Sequence, residues 1–162
     1  REHNVVPVAA RITSRSLPEA GTVTVDKGAD DGIVNGSAVM VGNGQLFGTV
    51  IAVQTGSATV RLTQEKESKV PAAVWGTTRT IGLVQGQSGS VLHMEYIPAD
   101  ATIAEGDLVV TSGLDGGLPP NIVIGVVTSI IRRDTAPFLE ALIEPLYDAR
   151  EWTNVLISTT DY

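Results

Sequence analysis

Two stretches of this chain carry one pattern, about seventy residues apart. The first is Ile33-Val34-Asn35-Gly36-Ser37-Ala38-Val39-Met40-Val41, followed by Gly48-Thr49-Val50-Ile51-Ala52-Val53. The second is Ile103-Ala104-Glu105-Gly106-Asp107-Leu108-Val109-Val110-Thr111, followed by Gly125-Val126-Val127-Thr128-Ser129-Ile130. Each copy has a turn glycine, a short apolar run, a glycine-rich connection, and a glycine that opens a longer β-branched run. Branched side chains suit a pleated surface, and glycine punctuates such runs at turns and bulges. Internal repetition constrains a fold more than any local propensity does. Two copies predict a duplicated small β-domain, not a solenoid.

Composition narrows the function. Hydrophobic residues make up 43% of the chain, enough for a core and against disorder. The net charge of −7 disfavours nucleic acid, whose binding rests on Lys and Arg at phosphates, and docking on anionic lipid. With no cysteine, disulfide scaffolds, thiolate metal sites and a cysteine nucleophile are excluded. No apolar run approaches the roughly 20 residues of a membrane helix, and no signal peptide opens the chain. Arg1 in place of methionine points to a fragment, with any anchor or export signal outside it.

The coarse pattern is a succession of short strands. Residues 22–26 and 58–63 alternate apolar and polar, as half-buried strands do. Residues 38–41 and 46–53 flank Gly42-Asn43-Gly44, a hairpin-type turn. Pro71 demotes residues 70–75 to an edge or bulged strand. Gly76 to Thr80 is polar and marks the boundary, giving units 5–78 and 79–162, with exchange of a terminal strand allowed. The second series is 81–84, 91–97, 108–111 and 122–131, closing with 155–158. In Phe138-Leu139-Glu140-Ala141-Leu142-Ile143 the apolar spacing also fits a helix, but the regular strand spacing around it and Pro145 favour a strand. Residues 148–153 have room for one helical turn.

Reactive chemistry is hard to find. His3 falls in a linker and His93 in mid-strand, on a face shared with Val91 and Glu95. Gly86-Gln87-Ser88-Gly89-Ser90 imitates a nucleophile elbow, but its last position is Ser90 and no helix follows. Gly42-Asn43-Gly44 starts like a dinucleotide fingerprint, yet Phe47 stands where the third glycine belongs. The loop from Gly113 to Gly117 has no Lys-Ser/Thr partner. Asp30-Asp31 lacks the register of a calcium loop. No catalytic, cofactor or metal site is expected. Apolar residues do stand out in one loop: Leu114, Leu118, Pro119, Pro120 and Ile122 either cap a barrel end or form a patch for a partner. Trp75 and Trp152 carry the same choice between core and interface anchor.

A family resemblance covers nearly the whole chain in collinear order. Thr24-Val25-Asp26-Lys27-Gly28-Ala29-Asp30-Asp31-Gly32-Ile33-Val34-Asn35-Gly36 resembles a signature of the rod shape-determining MreC family. Tyr96-Ile97-Pro98-Ala99-Asp100-Ala101 and Gly106-Asp107-Leu108-Val109-Val110-Thr111-Ser112-Gly113 resemble its second block. Pro119-Pro120 with Ile124-Gly125-Val126-Val127 resembles a third, except that Asn121 replaces a glycine. The resemblance implies an all-β fold of two small six-stranded β-barrels in tandem, arranged as in chymotrypsin without its catalytic residues. It also implies a membrane helix and a coiled coil before Arg1 and a place on the periplasmic side of the inner membrane. The implied partners are a class B penicillin-binding transpeptidase, its glycosyltransferase, the MreB/MreD system and further copies of itself.

The function expected is therefore a non-enzymatic scaffold of cell elongation that binds and regulates peptidoglycan synthases. Two alternatives remain open on the residues. One is a glycan-binding module, which would want aromatic platforms. The other is a double-barrel serine protease relative with His93 as base.

Overall fold

The computed structural model describes residues 4–16, 21–76, 79–87, 91–114 and 118–161. Expectations for His3, Thr77-Thr78, Ser88-Gly89-Ser90 and Asp115 to Gly117 lie outside the described residues. The protein is all-β. Its strands are β1 (Asn4–Ser16), β2 (Thr22–Val25), β3 (Ala38–Val41), β4 (Gln45–Val53), β5 (Ala58–Leu62) and β6 (Lys69–Val74). They continue as β7 (Thr80–Gln85), β8 (Leu92–Pro98), β9 (Leu108–Thr111), β10 (Val123–Ile131), β11 (Phe138–Glu144) and β12 (Asn154–Asp161). Single 3-10 turns sit at Ala29–Asp31 and Ala149–Glu151. The ambiguous segment after Pro137 is a strand, and the 148–153 region does hold one turn of helix.

Six strands close a barrel through antiparallel pairing in the order β12-β1-β2-β5-β4-β3, with β3 returning to β12. Its interior is filled by Val23, Val25, Val39, Val41, Phe47, Val50, Val60 and Ile157. The other six pair as β6-β7-β8-β11-β10-β9, with β9 returning to β6. Val70, Val84, Leu92, Met94, Ile97, Ile124 and Ile143 pack inside that second circuit. Burying each such side chain contributes about 1.5–3 kcal/mol, which is what holds short strands together.

The sequence repeat is reproduced bond for bond. Gly36 N–H donates to the Val50 carbonyl (2.8 Å), as Gly106 N–H donates to that of Val127 (2.7 Å). Val50 and Val127 donate back to Ser37 and Asp107, each at 2.9 Å. The Ser37 hydroxyl accepts from Val34 N–H (3.2 Å), and the Asp107 carboxylate accepts from Ala104 N–H (2.8 Å). Gly36 and Gly106 have φ of 94° and 92°, a region costly for residues with a Cβ. The strand-opening glycines match too. A Cβ at Gly48 would lie 2.2 Å from the Arg61 carbonyl oxygen, and one at Gly125 2.3 Å from that of Glu144.

Strand pairing sets β6 among the later strands and brings β12 back to complete the barrel begun by β1. Apolar alternation identifies strands but not which circuit receives them. Two expectations are corrected. β6 is not an edge strand, since β7 and β9 flank it. Pro71 is tolerated because Ser112 N–H still donates to its carbonyl (3.0 Å), while the Ser112 carbonyl, denied an N–H by the proline, accepts from the Arg79 guanidinium (3.2 Å). Finally, β1 is a 13-residue strand where the sequence pattern announced none, because Pro7 interrupts its run.

The two circuits meet along β4. Val123 pairs in parallel with Gln45, and its N–H donates to the Gly44 carbonyl (2.9 Å). Ala38 and Leu46, from β3 and β4, pack into the second core. Tyr147, on the connection from β11 to β12, stacks on Phe47 and donates its hydroxyl to the Leu46 carbonyl (2.6 Å).

Candidate partner-binding surface

The loop chosen from sequence divides between core and surface. Leu118 and Ile122 are buried and belong to the second core, so they cap it and offer no patch. Pro119 is half-buried, while Pro120 is exposed and Leu114 is 69% exposed. Buried Thr111 organises this loop: its hydroxyl donates to the Pro119 carbonyl (2.6 Å) and accepts from Ile122 N–H (2.9 Å). Asn121, where the resemblance implies a glycine, takes φ 67° and is anchored by Arg79 at 3.3 Å. Asparagine tolerates that region better than most residues, so the loop survives the replacement.

A different surface feature gathers more of what partner recognition uses. Tyr96 is 58% exposed and Phe138 48%, and their rings meet edge to face with centroids 5.8 Å apart. A bulge in β8 creates this arrangement. Met94 pairs with Ala141 and Ile97 with Leu139, so Glu95 and Tyr96 together oppose Glu140 alone. Strict alternation would send Ile97 outward if Met94 faces inward. The extra residue lets both reach the core, fully buried, and turns Tyr96 out. Tyr96 takes φ 62° to do so, a conformation that costs an aromatic L-residue about 1–3 kcal/mol. Pro98, the cross-strand partner of Phe138, and Pro137, whose carbonyl accepts from Ala99 N–H at 3.1 Å, stiffen the flanks. Arg133, in the β10–β11 connection, forms a largely exposed ion pair with Glu140 opposite the bulge, at 3.1 Å, which adds little to stability.

An exposed aromatic pair presented by two hydrogen-bonded strands, one ring on a strained backbone, has the composition of an interface anchor. The sequence contains Tyr96 in a family-like motif, but nothing in a single chain marks its backbone as left-handed. Trp75 is exposed, and Trp152 is half-buried against the first core.

His93 lies on the outer face of its strand, between Gln85 and Leu142. Among the described residues no hydrogen bond joins it to a hydroxyl or carboxylate, and no cluster of three or more His, Asp or Glu has metal-binding geometry. No helix among them is long and apolar enough to cross a membrane.

Comparison with known proteins gives a consistent picture. Residues 12–159 match the family model described as rod shape-determining protein MreC, barrel core. The cell shape-determining protein MreC of Listeria monocytogenes is 30% identical over 156 residues, covering 93% of this chain and 52% of that protein. This chain therefore spans about half the length of that relative. A solved Listeria MreC structure superposes with a TM-score of 0.90 at 28% identity, over 98% of this chain and 78% of its own. A complex between penicillin-binding protein PBP2 and MreC from Helicobacter pylori contains a similar fold, with a TM-score of 0.74 at 23% identity over 99% of this chain and 100% of that one.

Proposed function

The chain belongs to the MreC family of rod shape-determining proteins, and from that premise we propose that it is a non-enzymatic scaffold that binds a peptidoglycan synthase through the Tyr96–Phe138 face. The observation that carries this reading is the bulge at Tyr96. The bulge itself serves the core by burying both Met94 and Ile97, and at its strained, outward position the chain carries a large aromatic ring that contributes to neither core. The Helicobacter complex of PBP2 with MreC supports a penicillin-binding protein as the class of partner; that this is the elongation transpeptidase is part of the proposal. The arrangement as two barrels in tandem, like chymotrypsin without its chemistry, is part of the same proposal. So are a site of action on the periplasmic side of the inner membrane, an anchor preceding this sequence, association with MreB/MreD and the glycosyltransferase, and self-association. Leu114 and Pro120, both exposed in the β9–β10 connection, are a second candidate contact.

The test is titration calorimetry of this chain against the soluble domain of the cognate elongation transpeptidase. Tyr96→Ala and Phe138→Ala are each expected to weaken binding by about 2 kcal/mol, roughly 30-fold, as truncated anchors do. Leu114→Ala should change it by less than a factor of about three, as exposed peripheral contacts do. Native affinity in both aromatic variants would remove this face from the proposal. Sedimentation with purified sacculi, unaffected by the transpeptidase, would favour the glycan-binding reading instead.

A further inference from the structure

The two halves of the chain complete each other's circuits. Matching the circuits strand by strand pairs β3 with β9, β4 with β10 and β5 with β11, as the repeated turn bonds require. It then pairs β1 with β7, β2 with β8 and β12 with β6. The sixth strand of each half therefore lies in the other half's ring: β6 between β7 and β9, β12 between β1 and β3. This is a reciprocal strand exchange held within one polypeptide. The slot between β1 and β3 is built to take a strand delivered from outside its own half.

We infer that this slot also accepts β12 from a second copy of the chain, so that copies associate by exchanging their last strand. Every contact made by β12 in cis is available in trans. These are the ladder from Asn4↔Asp161 to Arg11↔Asn154, the pairing of Leu156 and Ile157 with Met40 and Val39, and the burial of Val155 and Ile157. Only the connection of residues 145–153 changes course, which is why swapped association needs no new interface. That connection is fastened in cis by the Tyr147 hydroxyl on Leu46, by Arg15 on the Ala149 and Trp152 carbonyls, and by Ile12 N–H on the Thr153 carbonyl. Loosening those bonds favours exchange. β1 is protected from adding some other strand on its far side. Arg11 spends its outward N–H and carbonyl on Asp26, and Pro7, in the same alternation, has no N–H to offer. The inference deepens the proposed self-association and rests on it.

The absence of cysteine makes a clean test possible. Ile12 and Thr153 are hydrogen-bonded across the ladder, so Ala9 and Leu156, three pairs along, form a non-bonded pair with Cα atoms about 4.5 Å apart, within disulfide reach. Both side chains are exposed. Ala9→Cys and Leu156→Cys chains are unfolded together, refolded at high concentration and oxidised. Exchange predicts a shift of the main band from 17.0 kDa to about twice that in the mixture, beyond what either variant forms alone. Thr13→Cys mixed with Leu156→Cys is out of register and should give no such band. A dilute double variant, Ala9→Cys with Leu156→Cys, should close within one chain. If it closes while the mixture gives no more dimer than the single variants, β12 stays in cis and the inference is overturned. If the double variant does not close, the β1–β12 register that a second copy would have to reproduce is not there, and the inference falls with it. Light scattering that finds association without the cross-link would keep self-association and reject strand exchange.

Discussion

Replacing Tyr147 by phenylalanine removes one hydroxyl and nothing else from the junction between the two circuits. That hydroxyl donates to the Leu46 carbonyl at 2.6 Å, and the Phe47 stacking survives the change. At neutral pH the loss of this partly buried bond, with its acceptor left short of a donor, costs about 1–2 kcal/mol. For a chain this size that lowers the melting temperature by about 2–4 °C per kcal/mol. Alkaline pH reverses the comparison. Burial pushes the Tyr147 phenol well above its ordinary value of 10.0. The unfolded chain ionises there first, so the native state of the parent protein holds a proton that the unfolded state has released. Stability attached to this group is complete below pH 10 and is lost as pH climbs toward the raised value, at up to about 1.4 kcal/mol per pH unit. A phenyl ring has no such proton, so the Tyr147→Phe variant escapes that slope. Urea unfolding of both proteins between pH 7 and pH 11 should give curves that converge above pH 10, the variant starting lower. Parallel curves over the whole range would refute the claim that this phenol is buried and neutral at the junction.

Further expectations follow from the same structure. Gly48→Ala and Gly125→Ala each force a methyl group onto a strand carbonyl and should destabilise by about 3 kcal/mol or more, with loss of soluble yield or a large drop in melting temperature. Asp107→Ala removes the turn bond to Ala104 N–H and should cost about 1 kcal/mol in urea titrations, with Ser37→Ala giving a similar loss at the repeated position. The Asp148 carboxyl is held at about 2 by hydrogen bonds from Arg150. Its contribution is present above pH 3.8 and lost as pH falls toward 2. An NMR titration of Arg150→Gln should move that midpoint up toward the ordinary carboxylate range, and an unmoved midpoint would assign the effect elsewhere.

The repeat made most of this fold legible, because a turn glycine followed by a branched run encodes the same local hydrogen bonds wherever it occurs. Ile33 to Ser37 and Ile103 to Asp107 could be matched from sequence for that reason. Destination was not legible. Val155-Leu156-Ile157 reads as a strand, but only tertiary packing decides that it lies against β1 and β3. The same limit hid the Tyr96–Phe138 face. The bulge exists because Met94 and Ile97 must both reach the core, a demand set by the opposite walls and not by the local pattern. Leu118 and Ile122 left two readings open, since an apolar loop residue over an open barrel end has the same sequence signature as a surface patch, and only their burial in the second core assigns them to the capping role.

The most direct test of the scaffold reading separates strain from contact at one residue. Tyr96→Gly relieves the left-handed backbone while deleting the ring. The relief of about 1–3 kcal/mol is offset by glycine's extra chain entropy and the lost edge contact with Phe138, leaving folding stability within about 1 kcal/mol of the parent. Binding to the transpeptidase domain, measured by calorimetry on the same preparation, should nevertheless fall by about tenfold or more. An unchanged melting temperature with weakened binding is what a strained partner anchor requires. Unchanged binding, or a fold that collapses without the ring, would mean that Tyr96 serves the barrel and not a partner.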